Sequence, residues 1–154
     1  QEIYAIINYY KNYLKGDFMS LIIWNDSLIT GIDMIDAQHK ILINKVNKLQ
    51  SCIQNENSFD NLSILLDELL EYTIYHFEME EELFNDSKYS EKDSHLKEHD
   101  TFSSYIKGFL DIKNRDNILE AKNLLKYLNN WIVYHIKEVD MKYVPFLKEK
   151  MENN

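Results

Sequence analysis

Residues 62–84 read LSILLDELLEYTIYHFEMEEELF, and they decide the fold. Leu62, Leu66, Leu69, Thr73, His76, Phe77 and Glu80 follow one another mostly in steps of three or four residues. That spacing is one face of an α-helix, and no alternation of period two competes with it. The stripe is aliphatic at its start. Near its end a histidine and a glutamate, four residues apart, stand where aliphatic side chains are expected.

The same spacing recurs on both sides. Upstream, after Gly31 and with Asp33 as the expected N-cap, Ile32, Ile35, His39, Leu42, Val46, Leu49 and Ile53 share a face. The polar run Asn55-Glu56-Asn57-Ser58 closes that helix. Downstream of Asn85-Asp86-Ser87, a third stripe begins near Ser90 and carries His95, His99, Phe102, Ile106 and Leu110, up to the break at Asn114-Arg115-Asp116. The fourth reads Ala121, Leu124, Leu128, Trp131 and His135 and continues towards Val139. Four helices of about 20 residues with short connections predict an all-α protein, an antiparallel up-down-up-down four-helix bundle.

The flanks are shorter elements. Met141 to Met151 is expected to form a short terminal helix with Pro145 in its first turn. Residues 22–31, IIWNDSLITG, read as an extended arm leading into the bundle. Residues 1–15 are another amphipathic helix candidate, with Ile3, Ile6, Ile7, Tyr10 and Leu14 on one face and Gly16 as its stop. Self-association through that face is an expectation. The chain thus divides into an N-terminal extension, 1–20, and a bundle, 21–154.

Composition agrees. A chain of 154 residues is one domain by length, and three Gly and one Pro leave few tight turns for a sheet protein. The single cysteine, Cys52, excludes a disulfide framework and a cysteine zinc site, and its place beside Ile53 marks it as an apolar packing residue. A formal charge of −9 without a basic patch argues against nucleic acid. No apolar run is long enough for a membrane span, and the N-terminus lacks the pattern of a secretory signal. The expected location is the cytoplasm.

All five histidines lie on inward stripes. One histidine on an apolar face is ordinarily a satisfied core residue, but five doing the same need a common partner, because buried imidazoles are costly unless paired or bound to metal. Their heights agree as well. Counted from turns at Glu56, Ser87 and Arg115, His39 and His76 lie 17 and 20 residues away, Glu80 and His95 seven and eight, His99 and His135 16 and 20. These mismatches amount to at most about 6 Å, one helical turn. His76 with Glu80, and His95 with His99, are i, i+4 pairs on one face. Glu78, Glu81 and Glu82 are expected in solvent. Asp140 follows His135 at i+5, about 140° further round. It reaches the same core only by side-chain slant or by local overwinding.

Five neutral imidazoles and two carboxylates suit a borderline divalent metal. Seven side chains are too many for one ion. Two ions bridged by both carboxylates and a shared oxide or hydroxide fit better: one with three histidines has six ligands, and the other, with two, has five. The open position would accept a small ligand.

The segments IIWNDSLITGIDMIDAQHKIL (22–42), YTIYHFEMEEELF (72–84), HLKEHDTF (95–102) and WIVYHIKEVDMKY (131–143) carry the elements H-x-x-x-E, H-x-x-x-H and H-I-x-x-x-D in order. Over about residues 22–146 the chain resembles the hemerythrin family, and within it the bacterial hemerythrins, whose relative myohemerythrin is a standard example of the up-down-up-down bundle. The resemblance implies two iron ions (Fe2+/Fe3+) with an oxo or hydroxo bridge. It implies His95, His99 and His135 on the six-coordinate iron, His39 and His76 on the five-coordinate iron, and Glu80 and Asp140 as bridges. It also implies reversible O2 binding at the five-coordinate iron, in a pocket lined by Phe77, Trp131 and Ile132, with Trp24 and Tyr143 nearby. No organic cofactor is implied. Residues 1–18 precede the resemblance, and Met19-Ser20 looks like the usual start of a single-domain member. The segment before it would be the end of an upstream linker, an engineered addition or an added helix packed on the domain.

The leading function is therefore an O2 carrier, store or buffer that is not an enzyme, with O2 or other small diatomic or anionic ligands as partners. The alternatives are a sensor of O2, nitric oxide or redox state, and a di-iron enzyme reducing peroxide or nitric oxide. A sensor normally carries a second domain, and an enzyme needs a proton donor near the open position. The sequence displays neither.

Overall fold

The computed structural model describes residues 20–54, 59–85, 87–111 and 118–152. The expectations for residues 1–15 and for the polar runs at 55–58 and 114–116 lie outside the described residues.

The described chain contains α1 (Asp33–Gln54), α2 (Phe59–Asn85), α3 (Lys92–Asp111), α4 (Ile118–Tyr134), a π-helical segment (His135–Asp140) and α5 (Met141–Glu152). The bundle is all-α, and no strand occurs among the described residues. The four stripes read from the sequence converge on one core, in which Val46, Leu66, Leu69, Phe102, Ile106, Ala121 and Leu128 are essentially inaccessible. Each buried aliphatic or aromatic side chain contributes about 1.5–3 kcal/mol relative to exposure, so this core holds the helices together. Cys52 belongs to it, and its thiol is buried. Thr73 fits into the apolar stripe because its hydroxyl donates to the Leu69 carbonyl at 2.7 Å.

α1 packs on both α2 and α4, and α2 packs on α3. The α3 and α4 backbones approach less closely, and large rings fill the seam between them, notably Phe102, Tyr127 and Trp131. A second apolar cluster closes the end of the bundle: Ile32, Ile35, Phe84, Tyr89, Tyr143, Val144 and Leu147 join the start of α1 and the end of α2 to α5.

The entry to α1 differs from expectation. Asp33 is the first helical residue, exposed, and not the cap. Asp36 holds the turn instead. Its Oδ1 accepts from the Thr30 amide and hydroxyl, both at 2.8 Å, and its Oδ2 from the Gly31 amide at 3.1 Å. The Thr30 hydroxyl in turn accepts from the Ile32 amide. The chain turns there through Gly31 at φ 74°, a conformation that favours glycine. The arm before it is extended apart from one 3-10 turn at Asp26–Leu28. The Asn47 side chain ties the arm to α1, donating to the Ile22 carbonyl and accepting from its amide, both at 2.9 Å.

The second difference concerns the end of α4. The helix neither stops near Val139 nor overwinds. It widens into the π segment and continues directly into α5, with Pro145 at the fifth residue of that helix. In i→i+5 bonding a residue five positions on returns close to the starting face. This unwinding turns Asp140 towards the same core as His135.

Candidate metal centre

Each helix of the bundle delivers its polar side chains to one level. α1 supplies His39, α2 His76 and Glu80, α3 His95 and His99, and the π segment His135 and Asp140. All seven are at most 2% exposed. They form two overlapping groups whose donor atoms lie within 4.8 Å of one another: Glu80, His95, His99, His135 and Asp140, and His39, His76 and Glu80.

The carboxylates divide between the two groups. Glu80 Oε1 is 3.5 Å from His76 Nε2 and 3.9 Å from His39 Nε2. Its Oε2 is 3.2 Å from His99 Nε2 and 3.5 Å from His95 Nε2. Asp140 Oδ1 is 3.1 Å from His135 Nε2 and 3.4 Å from His95 Nε2, while Oδ2 is 3.1 Å from His39 Nε2. His99 Nε2 and His135 Nε2 stand 3.1 Å apart. All five imidazoles thus turn Nε2 inward.

Charge attraction shapes the cluster. Burial alone would raise the carboxyl groups of Glu80 and Asp140. Both are nevertheless held low: Glu80 by His76, His95 and His99, and Asp140, despite the charge of Glu80, by His135 and His39. Burial pushes His76 down to about 4 and also lowers His99. At His135 burial is outweighed by Asp140, and its pKa is raised.

Apart from the His99–His135 pair, these distances do not amount to hydrogen bonding. Both ring nitrogens of His39 and of His95, both Asp140 oxygens, Glu80 Oε2, His99 Nδ1 and His135 Nδ1 are buried without a hydrogen-bond partner among the described residues. Such a concentration of orphaned donors and acceptors in a dry core is costly unless cations sit among them. The donor set, imidazole nitrogen with carboxylate oxygen, suits iron and related divalent metals.

Several supporting contacts were not legible in the stripes. Gln38 Oε1 lies 2.7 Å from His76 Nδ1, so this ring is oriented by a buried amide. Tyr143, fully buried, donates its hydroxyl to Glu80 Oε1 at 2.5 Å. Burial, Glu80 and Asp140 together hold that phenol well above its ordinary pKa. Glu81 is half-buried with Oε1 3.7 Å from His99 Nδ1, whereas Glu78 and Glu82 are exposed as expected.

Aromatic rings cover one side. Phe77 stacks on His99 at 3.6 Å and 3°, and its centroid is 5.8 Å from His76. Trp131 stacks on His135 at 4.1 Å and 13° and lies 5.9 Å from Phe77. Ile132 is buried in the main core. Trp24 is half-buried against that core, with Lys40 Nζ 5.0 Å from its ring centre. No helix among the described residues is long and apolar enough to cross a membrane.

Residues 30–147 match the hemerythrin HHE cation binding domain. A bacteriohemerythrin of Clostridium acetobutylicum is 31% identical over 129 residues, 80% of this chain and 99% of the relative. One from Pseudomonas aeruginosa is 29% identical over 133 residues, 86% of each chain. The crystal structure of a wild-type hemerythrin superposes with a TM-score of 0.70 at 25% identity, covering 83% of this chain and 98% of that one.

Proposed function

The chain belongs to the hemerythrin family, and on that premise we propose that it binds O2 reversibly at a pair of iron ions held by His39, His76, Glu80, His95, His99, His135 and Asp140. The observation that carries the reading is the division of the two carboxylates. Each turns one oxygen towards His39 or the His39–His76 pair and the other towards the set of His95, His99 and His135. Two ions sharing both carboxylates need such a division. His95, His99 and His135 would hold one ion, and His39 and His76 the other, with fewer protein donors and so with room for a small ligand.

When bound, the iron pair supplies two adjacent one-electron couples, the capacity to take up and return O2. The protein's own groups keep that chemistry contained. Gln38 accepts from His76 Nδ1–H, which leaves the Nε2 lone pair facing Glu80. Tyr143 fixes the rotation of the Glu80 carboxylate. Burial and the neighbouring carboxylates keep the proton on the phenol, so Tyr143 is the donor in this pair. Phe77 against His76 and His99, and Trp131 against His135, give the centre an apolar cover, and a dry site slows irreversible oxidation. These features favour a carrier over an enzyme.

The test is optical stopped flow of the diferrous protein mixed with O2. A charge-transfer band that persists and vanishes under vacuum supports a carrier. Rapid, irreversible conversion to the ferric form supports a sensor or an enzyme and refutes the proposal.

A further inference from the structure

The seam between α3 and α4 carries a row of rings that extends beyond the metal centre. Trp131 stacks on His135 as described. Phe102 stacks on Trp131 at 4.0 Å between centroids and 28° between planes. Tyr127 lies 6.0 Å from Phe102 at 23°, and Tyr105 lies 4.0 Å from Tyr127 at 33°. The row begins at a buried ligand, passes through half-buried Trp131 and Tyr127, and ends at Tyr105, 45% exposed.

Packing alone does not ask for this arrangement, since edge-to-face pairs fill a core equally well. The second aromatic cluster, Phe84, Tyr89 and Tyr143, is built from tilted and edge-to-face pairs, at interplanar angles of 54–78°. It also ends in buried tyrosines, Tyr89 and Tyr143. The α3–α4 row differs in both respects. Each successive pair of planes meets at 33° or less, and the row reaches solvent. Trp and Tyr are the readily oxidised members, and Phe102 bridges them with a π system. Electron transfer falls off steeply with the gap between groups, so several short gaps make a route where one long gap does not.

We propose that Trp131, Phe102, Tyr127 and Tyr105 carry one electron from the protein surface to the iron pair when hydrogen peroxide reacts there with only one ion ferrous. This rests on the reading of the site as an iron centre. Hydrogen peroxide takes two electrons and two protons to become two waters. The ferrous ion gives one electron and becomes ferric. Tyr105 gives the other through the row, releases its phenolic proton to solvent and is left as a neutral tyrosyl radical. Both protons consumed come from solvent. The oxidising equivalent thus leaves the seven ligands and arrives where a soluble reductant such as ascorbate returns one hydrogen atom.

The experiment uses the full chain loaded with iron, its iron content measured, half-oxidised, mixed with hydrogen peroxide and freeze-quenched for electron paramagnetic resonance. The parent and the off-row variant Tyr75→Phe should show a tyrosyl radical. The iron-free chain should show none. The double variant Tyr105→Phe with Tyr127→Phe, with iron content intact, should lose the signal, and peptide mapping should find oxidation moved to Trp131 and the histidines. Trp131→Ala, which removes the ring between His135 and Phe102, should also lose the tyrosyl signal. A tyrosyl signal that survives the double variant, or an iron-loaded parent with no radical, would overturn the relay. A chain that takes up no iron pair would overturn the reading of the site itself, and that result shows before peroxide is added.

Discussion

Replacing Gln38 by Leu removes the one side chain that accepts from His76 Nδ1, at a site where both residues are buried. Leu fills a similar volume, so packing changes little while the ring nitrogen loses its partner. Leaving a buried N–H unsatisfied costs about 1–3 kcal/mol. Loss of a hydrogen bond that orients a metal-binding histidine weakens metal affinity by about 10- to 100-fold. That factor is about 1.4–2.8 kcal/mol, so the two routes to the magnitude agree. The effect should be concentrated on one ion, because Gln38 touches His76 and none of the three-histidine set. Chelator competition measures it, with the parent and Gln38→Glu as references. The Glu variant keeps an acceptor at the same place and should retain affinity. Urea unfolding of the iron-free proteins separates a binding loss from a folding loss. Iron affinity of Gln38→Leu within about twofold of the parent would refute the claim that this hydrogen bond orients the ligand.

Other consequences are equally specific. Glu80→Ala should lose the iron pair, and Glu81→Ala should keep both ions, because of these two glutamates Glu80 alone faces the interior ring nitrogens from both sides; equal iron loss would contradict the assignment. Trp131→Ala should retain iron but shorten the lifetime of the oxygenated form, read as the decay of its optical band; an unchanged lifetime would make Trp131 plain packing. Leu66→Ala, at a fully buried core position, should lower unfolding stability by about 2–5 kcal/mol in urea. In the iron-free protein burial holds His76 at about 4 against an ordinary 6.5, so the unfolded chain binds the extra proton between those values. Stability should therefore fall as pH drops through that window, by up to about 3 kcal/mol from this residue. His99, also lowered by burial, adds to the fall. At His135 burial is outweighed by Asp140, so its contribution is present below 6.5 and lost as pH rises through the raised value. Urea midpoints at pH 7 and pH 5 test the balance, and an equal or higher midpoint at pH 5 would contradict it.

The bundle was legible because its stripes are long and its turns few. Leu62 to Glu80 alone specified a buried face, and equal distances from the turns put His39, His76, Glu80, His95, His99 and His135 at one height. Asp140 was less legible. A helical wheel with uniform rotation leaves it about 140° from His135, and nothing in the residue types announces an i→i+5 segment. Of the two expected routes, side-chain slant and local overwinding, the second had the wrong sign, since widening the helix is what brings the two together. The contacts of Gln38 with His76 and of Glu81 with His99 cross between helices, where single-helix periodicity carries no information. Tyr143 was placed near the site by resemblance, but its bond to Glu80 depends on how α5 docks over the bundle end. The cap of α1 was misplaced for a local reason: Asp33 and Asp36 both suit a first turn, and the Gly31 bend decides which one reaches back.

The most direct test counts iron and O2 in one sample. The reduced, iron-loaded chain is assayed for metal, exposed to O2, and the gas it releases under vacuum is measured over repeated cycles. Two iron ions and one releasable O2 per chain are expected, cycle after cycle. One iron ion per fully loaded chain, or O2 consumed and not returned, would contradict that expectation.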